Sequence, residues 1–365
     1  MTTLLILSVG SLVGSNILDA VDDFRPGLRV VGVNSEVEAP NNFRCDRVYL
    51  APPAREAEAY WQRVEEVLRL EDPGLVYAGR DDDIPLLAQW REQHPRWADR
   101  LVVGASSLSL PMTDKLAGHD WALARGLPFA PTIAANNPEA RRQCAEWTAT
   151  LDCALIAKPR AGNGSRGIRV LLDDAALEAT LGDAERVIQP YLSDTTAYRE
   201  LGKQASAGLP LFWAPMLTQY VAQTVIGPQG NLLGRFDMEA NMVAGRCERA
   251  LAFDDPKFRD IGDRYALALA EAGWRGPVNV QAVHHPRLGF QVIEFCARAA
   301  GGMMPRLLLG FDEMALALTA WSGRPFERQA TMPPAKVALR VTRDVGLDAN
   351  ACRSLRDNGC WPAIQ

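Results

Sequence analysis

The sequence predicts an α/β unit at the N-terminus and an α+β region after it. Through about residue 100, short apolar runs alternate with helical patterns, which is typical of a parallel sheet with helices on both faces. Beyond residue 217, apolar runs come in pairs joined by turn-forming residues, which is typical of antiparallel hairpins. The length of 365 residues accommodates about two to three packed units of this kind.

The N-terminal elements follow one another in a regular order. An apolar run over residues 4–8 predicts the first strand, and a helical pattern follows Gly10 and Gly14. These glycines lack the spacing of a dinucleotide fingerprint, so close strand-to-helix packing explains them better than a nicotinamide cofactor. Further strands are predicted at residues 28–33, 48–50, 75–77 and 101–103, and further helices at residues 60–70 and 84–90.

From about Lys115 onward the pattern changes. Helices are predicted at residues 116–125, 174–181 and 265–273, and strands at residues 156–158, 168–172, 187–191, 220–226, 232–238, 278–284 and 290–295. Residues 193–215 match no element, so we expect an insertion or a mobile loop there. Within it, Phe212 and Trp213 are expected to pack between lobes or, as an alternative, to line an apolar acceptor pocket.

Composition limits the class of function. A net charge of −5, a pI near 5.6 and scattered basic residues argue against a nucleic-acid surface. No apolar run reaches the roughly 18 residues that a membrane span needs. The seven cysteines are odd in number and lack CxxC spacing, which indicates reduced thiols rather than disulfides or a zinc site. We therefore expect a soluble, cytoplasmic protein that acts on small molecules.

The strongest motif is a predicted hairpin near the end of the chain. Asn279 and Gln281 lie two residues apart on its first strand, and Glu294 and Cys296 lie two apart on its second. Because side chains alternate along a strand, pairing of the two strands can bring Gln281 and Glu294 together. A carboxylate and an amide oxygen suit Mg²⁺, and Arg298 beyond them offers a fork of donors to a phosphoryl group.

A second motif is the glycine-rich stretch that follows a strand ending in Lys158. Gly162, Gly164, Ser165 and Gly167 belong to it, and such a loop can turn backbone N–H groups toward phosphates. It lacks the GK[ST] ending of a Walker loop, and a plain hairpin is the alternative interpretation. Upstream, Lys115 stands where a helix begins.

Together these motifs resemble the ATP-grasp superfamily, most closely the ATP-binding half of the carbamoyl-phosphate synthase large chain and related amino-acid ligases. The resemblance implies a Rossmann-like (pre-ATP-grasp) domain over residues 1–112 and a two-lobed ATP-grasp fold after it. The lobe with the glycine-rich loop would cover residues 113–192, and the catalytic lobe with the metal site would cover residues 193–330. Residues 331–365 would form a C-terminal extension, in which residues 337–341 can add a strand.

The resemblance also implies roles for ATP and for one or two Mg²⁺ ions as cofactors. Lys115 and Lys158 would contact phosphates, beneath a lid formed by the glycine-rich loop. Gln281 and Glu294 would hold metal, and Arg298 would stabilise the transferred phosphoryl group. Adenine would lie against residues 187–192, where Gln189, Tyr191 and Leu192 are the candidate contacts, although residues 217–221 compete for this role.

The activity implied is ATP-dependent ligation of a carboxylate to an amine through an acyl phosphate, on a small molecule such as an amino acid or a peptide precursor. The resemblance is also compatible with a homodimer. One position departs from the family, because Cys296 replaces the Asn that helps to bind a second Mg²⁺. A thiol is a poor ligand for Mg²⁺, so a weakened metal site, a nucleotide-binding pseudoenzyme or regulatory subunit, and a metal shell completed by other groups all stay open.

Overall fold

The structure is a computed structural model that describes residues 1–162, 164–204, 215–328, 333–342 and 344–362. Its strands form three sheets, of five, six and four strands. The strands are β1 (Thr2–Ile6), β2 (Leu28–Asn34), β3 (Arg47–Leu50), β4 (Leu75–Tyr77), β5 (Ile133–Ala134), β6 (Leu155–Pro159), β7 (Arg169–Leu171), β8 (Arg186–Pro190), β9 (Leu217–Ile226), β10 (Leu232–Val243), β11 (Arg246–Ala252), β12 (Gly276–His285), β13 (Gly289–Cys296), β14 (Ala338–Leu339) and β15 (Cys360–Trp361). The α-helices are α1 (Leu12–Val21), α2 (Ala57–Glu71), α3 (Asp83–Gln93), α4 (Ser109–Thr113), α5 (Lys115–Leu123), α6 (Ala140–Leu151), α7 (Asp174–Glu178), α8 (Thr196–Gln204), α9 (Pro256–Glu271), α10 (Met303–Leu308), α11 (Glu313–Ser322) and α12 (Ala349–Asn358).

The N-terminal sheet has the order β15-β3-β2-β1-β4, in which β1 to β4 are parallel and β15 is antiparallel. Leu5 and its neighbours on one face pack against α2 and α3, and Leu4 and Ile6 on the other face pack against α1 and α11. This confirms the predicted parallel sheet with helices on both faces. A side chain on Gly14 would meet the carbonyl of Val9 at 2.2 Å, so this glycine serves close packing.

The four-stranded sheet is antiparallel and has the order β5-β8-β6-β7. Its two faces carry different side chains. Ala157 packs against Trp147 of α6 on one face, whereas Ile156 packs with Tyr191 on the other. Because side chains alternate along a strand, Lys158 points to the same side as Ile156. That side carries the candidate site.

The six-stranded sheet has the order β13-β12-β9-β10-β11-β14, and its strands are antiparallel. In the β12–β13 hairpin, Gln281 lies opposite Glu294 and Asn279 lies opposite Cys296. The predicted pairing of Gln281 with Glu294 is thus confirmed. Helix α9 packs on the other face, where Phe258 and Tyr265 join the largest core cluster.

Several predictions differ from the observed elements. Residues 101–103 form no strand, because only Leu101 bridges Val76 of β4. Helix α7 ends at Glu178, short of the predicted residue 181. The sequence patterns missed α6, α10, α11, α12 and β11. The predicted extra strand near residue 338 is present as β14.

Part of the stretch at residues 193–215 has defined structure, because α8 covers its first half. Phe212 and Trp213 lie outside the described residues, so their predicted roles stay predictions. The limits of the four predicted domains also stay predictions. The described part of the chain contains no helix that is both long and apolar enough to cross a bilayer.

A fully buried ion pair joins α10 to α11. Arg306 donates to Glu313, and the two side chains are 0% and 1% exposed. Burial raises the pKa of Glu313, although Arg306 opposes this rise. Each charge therefore depends on its partner inside the core.

We expect Arg306→Met to lower the free energy of unfolding by about 3–5 kcal/mol, because it leaves an uncompensated buried carboxylate. Urea unfolding measures this change. The double variant Arg306→Met/Glu313→Met is the control, and it should recover most of the loss. An equal loss in both variants would show that packing, and not charge, is responsible.

Candidate functional site

Lys115 is held at the first position of α5 by two connections. Asp114 caps the helix by accepting from the backbone N–H groups of residues 116 and 117, at 2.9 and 3.0 Å. The backbone N–H of Lys115 donates to the carbonyl of Arg160 at 2.9 Å, and Arg160 Nε donates to Asp114 at 2.8 Å. The start of α5 is therefore tied to the end of β6.

The Lys115 ammonium lies between the glycine-rich loop and the β12–β13 hairpin. It donates to the Gly162 carbonyl at 3.3 Å and lies 3.8 Å from Glu294 Oε2. The Lys115 side chain is buried, and the Glu294 side chain is 29% exposed. Glu294 is consequently the more accessible of the two charges.

Lys158 lies next to this pair and is 6% exposed. Within the described ranges, its ammonium has neither a hydrogen bond nor an ion pair with the protein. Burial lowers the pKa of Lys158 to about 8, Glu294 acts in the opposite direction, and Lys115 lowers it further. Such a buried ammonium is suited to an anionic ligand.

Behind Glu294, amide side chains form a hydrogen-bonded chain. Gln281 Nε2 donates to Asn279 Oδ1 at 3.0 Å, and Asn279 Nδ2 donates to Gln223 Oε1 at 2.8 Å. Cys296 Sγ lies 4.0 Å from the same Asn279 Oδ1. Asn279 and Gln223 are fully buried, at 1% and 0% exposure.

These side chains differ in their fit to Mg²⁺. The Glu294 carboxylate and the Gln281 amide oxygen are hard ligands on facing strands, which is the donor set that Mg²⁺ prefers. Burial raises the pKa of Cys296 to about 12, so this side chain is a neutral thiol and a poor ligand for Mg²⁺. Residues 281 and 294 fit the ion, and residue 296 does not. No group of three His, Cys, Asp or Glu side chains in the described part of the chain could hold a metal ion.

Arg298 is held by a carboxylate from the N-terminal unit. Its Nε and Nη2 donate to the two oxygens of Asp81, at 2.6 and 2.9 Å. Although burial disfavours its charged form, the charge and hydrogen bonds of Asp81 raise the pKa of Arg298, so the guanidinium stays protonated. Asp81 therefore fixes the position of the Arg298 guanidinium, the group expected to contact a phosphoryl group.

A cavity brings together four of the predicted site residues, namely Lys115, Gly162, Glu294 and Cys296. It lies between α4 and α5 on one side and the β12–β13 hairpin on the other. Its lining consists of Asp81, Pro111, Met112, Thr113, Asp114, Lys115, Gly118, Phe129, Gly162, Glu294, Phe295 and Cys296.

The glycine-rich loop has a backbone that only a few residue types adopt readily. Gly162, Gly164 and Gly167 have φ of +128°, +62° and +72°, and Ser165 has φ of 58°. A side chain on Gly245, in the turn between β10 and β11, would lie 2.6 Å from the Gly164 carbonyl. The loop therefore approaches the six-stranded sheet. Asn163 lies outside the described residues.

Comparison with known proteins identifies the fold. No family model matches the chain, and no curated protein matches it. Among solved structures, it is similar to an N5-carboxyaminoimidazole ribonucleotide synthetase in complex with ADP, with 15% identity, 89% of this chain and 78% of that chain covered, and a TM-score of 0.64. It is also similar to the Staphylococcus aureus N5-carboxyaminoimidazole synthetase complexed with ADP, with 12% identity, 93% and 80% coverage and a TM-score of 0.64.

A third similar structure is the biotin carboxylase domain of Hydrogenobacter thermophilus 2-oxoglutarate carboxylase, with 14% identity, 89% of this chain and 70% of that chain covered, and a TM-score of 0.60. These structures belong to the ATP-grasp superfamily. The chain has the ATP-grasp fold. The three sheets agree with the Rossmann-like unit and the two lobes expected for an ATP-grasp protein.

The two candidate positions for the ATP-grasp adenine linker both lie on paired strands. Residues 217–221 lie within β9 and pair with β10 along their whole length, so their backbone groups are engaged. Residues 187–190 likewise lie within β8 and pair with β6, and residues 191–192 follow its end. Gln189 Nε2 donates to Thr132 Oγ1 at 2.7 Å, and Tyr191 N donates to the Ala154 carbonyl at 2.8 Å. Leu192 is buried in the core. The assignment of the adenine linker to residues 187–192 stays a prediction.

Sequence reasoning missed two contributors to this site. Asp81 is 217 residues away from Arg298 along the chain, and no local pattern connects them. Gln223 is a polar residue inside the apolar run of β9, which is a usable signal because a buried amide needs a partner. The nearby Asp114–Arg160 pair was also missed for lack of any sequence periodicity.

We expect Lys158→Met to raise the free energy of unfolding at pH 7 by about 3 kcal/mol. The substitution removes a buried ammonium group, and burial has lowered the pKa of that group in the folded protein. The folded pKa is near 8 and the ordinary value is 10.5. Between these values the folded state has released its proton and the unfolded state has not, so the stability of the wild type rises with pH. The difference between variant and wild type should therefore shrink from pH 8 to pH 10.

Urea unfolding of both proteins across this pH range measures the difference. Lys115→Met is the matched control, because Lys115 already has an ion-pair partner in Glu294, and it should bring no gain in stability at pH 7. A pH-independent gain in Lys158→Met would show that the added apolar contact alone is responsible.

Proposed function

We propose that the protein is an ATP-dependent carboxylate–amine ligase that binds Mg-ATP and releases ADP. The observation that carries this proposal is the buried Lys158 ammonium, which lies beside Lys115 and Glu294 and has no partner among the described residues. Two ammonium groups in one cleft require negative charge beyond the single carboxylate that the protein supplies. A polyphosphate provides this charge, and similar proteins were solved with ADP or MgADP.

The nucleotide would lie between the two lobes. Lys115 and Lys158 would bind its phosphates, and the backbone of the glycine-rich loop (Gly162, Gly164, Ser165 and Gly167) would cover them. The base would lie beside the apolar cluster of Ala154, Ile156 and Tyr191, which occupies the same face of the sheet as Lys158. Gln189 and Leu192 complete this part of the site.

Glu294 and Gln281 would hold Mg²⁺ at the phosphates. When bound, the ion neutralises phosphate charge and orients the γ-phosphoryl group. Cys296 was expected at a metal position, and its thiol chemistry argues against that role. We therefore assign one firm cation site to the pair Gln281 and Glu294.

The reaction would proceed in two balanced steps. A substrate carboxylate oxygen attacks the γ-phosphorus and ADP departs, which gives an acyl phosphate. An amine then attacks the acyl carbon, inorganic phosphate departs and the amine nitrogen loses a proton. Arg298 would stabilise the charge on the transferred phosphoryl group, and the lysines would stabilise the leaving ADP.

The substrates would be a small carboxylic acid and a small amine, such as amino acids or a peptide precursor. Support is indirect, since the similar proteins are named as a synthetase that makes a carboxyamino compound and as a biotin carboxylase solved with bicarbonate. Both names describe attachment of a carboxyl group to nitrogen, and the proposed ligation is a reaction of the same class. No residue of the cavity defines one particular acid.

The second candidate is a nucleotide-binding protein with weak or no turnover. It is favoured by Cys296, which removes a hard ligand from the second cation position. Nucleotide would then bind through the lysines while the transferred phosphoryl group lacks a full set of counter-charges.

We expect ATP turnover to require both an acid and an amine, and Glu294→Gln to abolish it, since the amide cannot supply the negative charge that Mg²⁺ needs. A screen of paired amino acids, in which ADP and product mass are read together, measures turnover. Glu239→Gln, on β10 of the same sheet, is the control and should keep activity. Full activity in Glu294→Gln would contradict the assignment of the cation site.

Cys296→Asn separates the two candidates, because it restores a hard oxygen ligand near the cation site. If the protein is an active ligase, turnover should change less than about threefold, since the thiol takes no part in metal binding. If it is a weakened nucleotide binder, ATP hydrolysis should rise at least tenfold over the wild type. Phosphate release with and without substrates distinguishes the outcomes.

A further inference from the structure

A line of buried polar side chains runs from the core of the catalytic lobe to the cation site. It begins at the ion pair of Arg306 and Glu313 and continues through Gln223 and Asn279 to Gln281. All but the last are buried. Such a line inside an apolar sheet is costly unless every member has a partner.

The hydrogen bonds have one direction. An amide side chain has a donor end and an acceptor end, so each member determines the orientation of the next. Gln281 donates to Asn279, and Asn279 donates to Gln223. The Oε1 of Gln223 is thus occupied by Asn279, and its Nε2 is free to donate to a group on the side away from Asn279.

Glu313 lies on the side of Gln223 that faces away from Asn279. Gln223 Nε2 and Glu313 Oε2 are both buried and neither has a hydrogen-bond partner in the described part of the chain. Gln223 is close enough to act as a donor that lowers the pKa of Glu313. A buried donor and a buried acceptor that face one gap satisfy each other, directly or through one water.

The opposite orientation is excluded by charge. If Gln223 were flipped, its oxygen would face the Glu313 carboxylate and its NH₂ group would face the NH₂ group of Asn279. Two buried acceptors and two buried donors would then oppose each other, at a cost of several kcal/mol. The carboxylate, fixed by Arg306, thus determines the orientation of the whole line.

We propose that Glu313, Gln223 and Asn279 are positioning residues that hold the side-chain oxygen of Gln281 toward Glu294, where it completes the cation site. This proposal rests on the proposed function, because it concerns the same cation site. Gln281 donates its NH₂ group to Asn279, so its oxygen is left on the side away from Asn279. Glu294 lies directly opposite in the strand register.

The same line gives Cys296 a role that is not metal binding. Its Sγ lies 4.0 Å from Asn279 Oδ1, the atom that already accepts from Gln281. The thiol is therefore a second, weak donor to the middle of the line. Cys296 supports the orientation of Asn279 where a metal ligand was expected.

The test uses Gln223→Met, which breaks the line without changing charge or length. Binding of Mn²⁺ in the presence of ADP, measured by electron paramagnetic resonance, should weaken at least tenfold, as in Gln281→Met. Binding of ADP without metal, measured by calorimetry, should change less than twofold, because the lysines are untouched. Asn241→Leu is the matched control and should leave Mn²⁺ binding unchanged. Asn241 is a buried amide of the same sheet whose side-chain partners, within the described ranges, are Thr218 and Arg249.

A second measurement addresses the line without nucleotide or metal. The side-chain NH₂ protons of Asn279 and Gln281 should exchange slowly with solvent in the wild type and at least tenfold faster in Gln223→Met, as observed by ¹⁵N NMR. Wild-type Mn²⁺ affinity in Gln223→Met, or unchanged exchange, would overturn the proposal. Absence of any Mn²⁺ or ADP binding in the wild type would instead overturn the proposed function, while the exchange data still decide whether the line exists.

Discussion

The burial of two ammonium groups around one carboxylate is the constraint on which the candidate site depends. Lys115 comes from the start of α5, Lys158 from the four-stranded sheet and Glu294 from the six-stranded sheet. Each alone would be an ordinary charged side chain. Their repulsion and attraction act across the cleft only when the helix and both sheets are assembled, so the electrostatics of the site report on the packing of the whole chain.

The surrounding structure keeps these charges in place. The Asp114–Arg160 pair ties the end of β6 to the start of α5, and the Asp81–Arg298 pair ties the N-terminal unit to the end of the β12–β13 hairpin. Both are carboxylate–guanidinium pairs that join elements distant in sequence. Because a guanidinium presents fixed donors, such pairs define an angle as well as a distance. The two pairs thus connect elements that surround the site, and the glycine-rich loop lies beside Lys115.

The parts of the site that could be predicted are those whose sequence pattern lies within one element or one hairpin. The β12–β13 hairpin was predictable because a period of two places Gln281 and Glu294 on facing strands. The burial of Lys158 was not predictable, because it depends on which face of the four-stranded sheet the other lobe covers. The Asp81–Arg298 contact has no local signal, because the two residues approach only through tertiary packing. Short helices such as α10 were missed for a similar reason, because six residues are too few to show a period of 3.6.

The short strand β15 pairs with β3 of the N-terminal sheet, where Cys360 lies opposite Tyr49. Arg63 of α2 also donates to the Gly359 carbonyl just before β15. The chain thus leaves this sheet after β4, builds both lobes and then returns to it. During synthesis, the edge of β3 stays unpaired until residues 360–361 have left the ribosome. The N-terminal sheet is therefore completed only after both lobes have been made, through contacts between residues that are far apart in sequence.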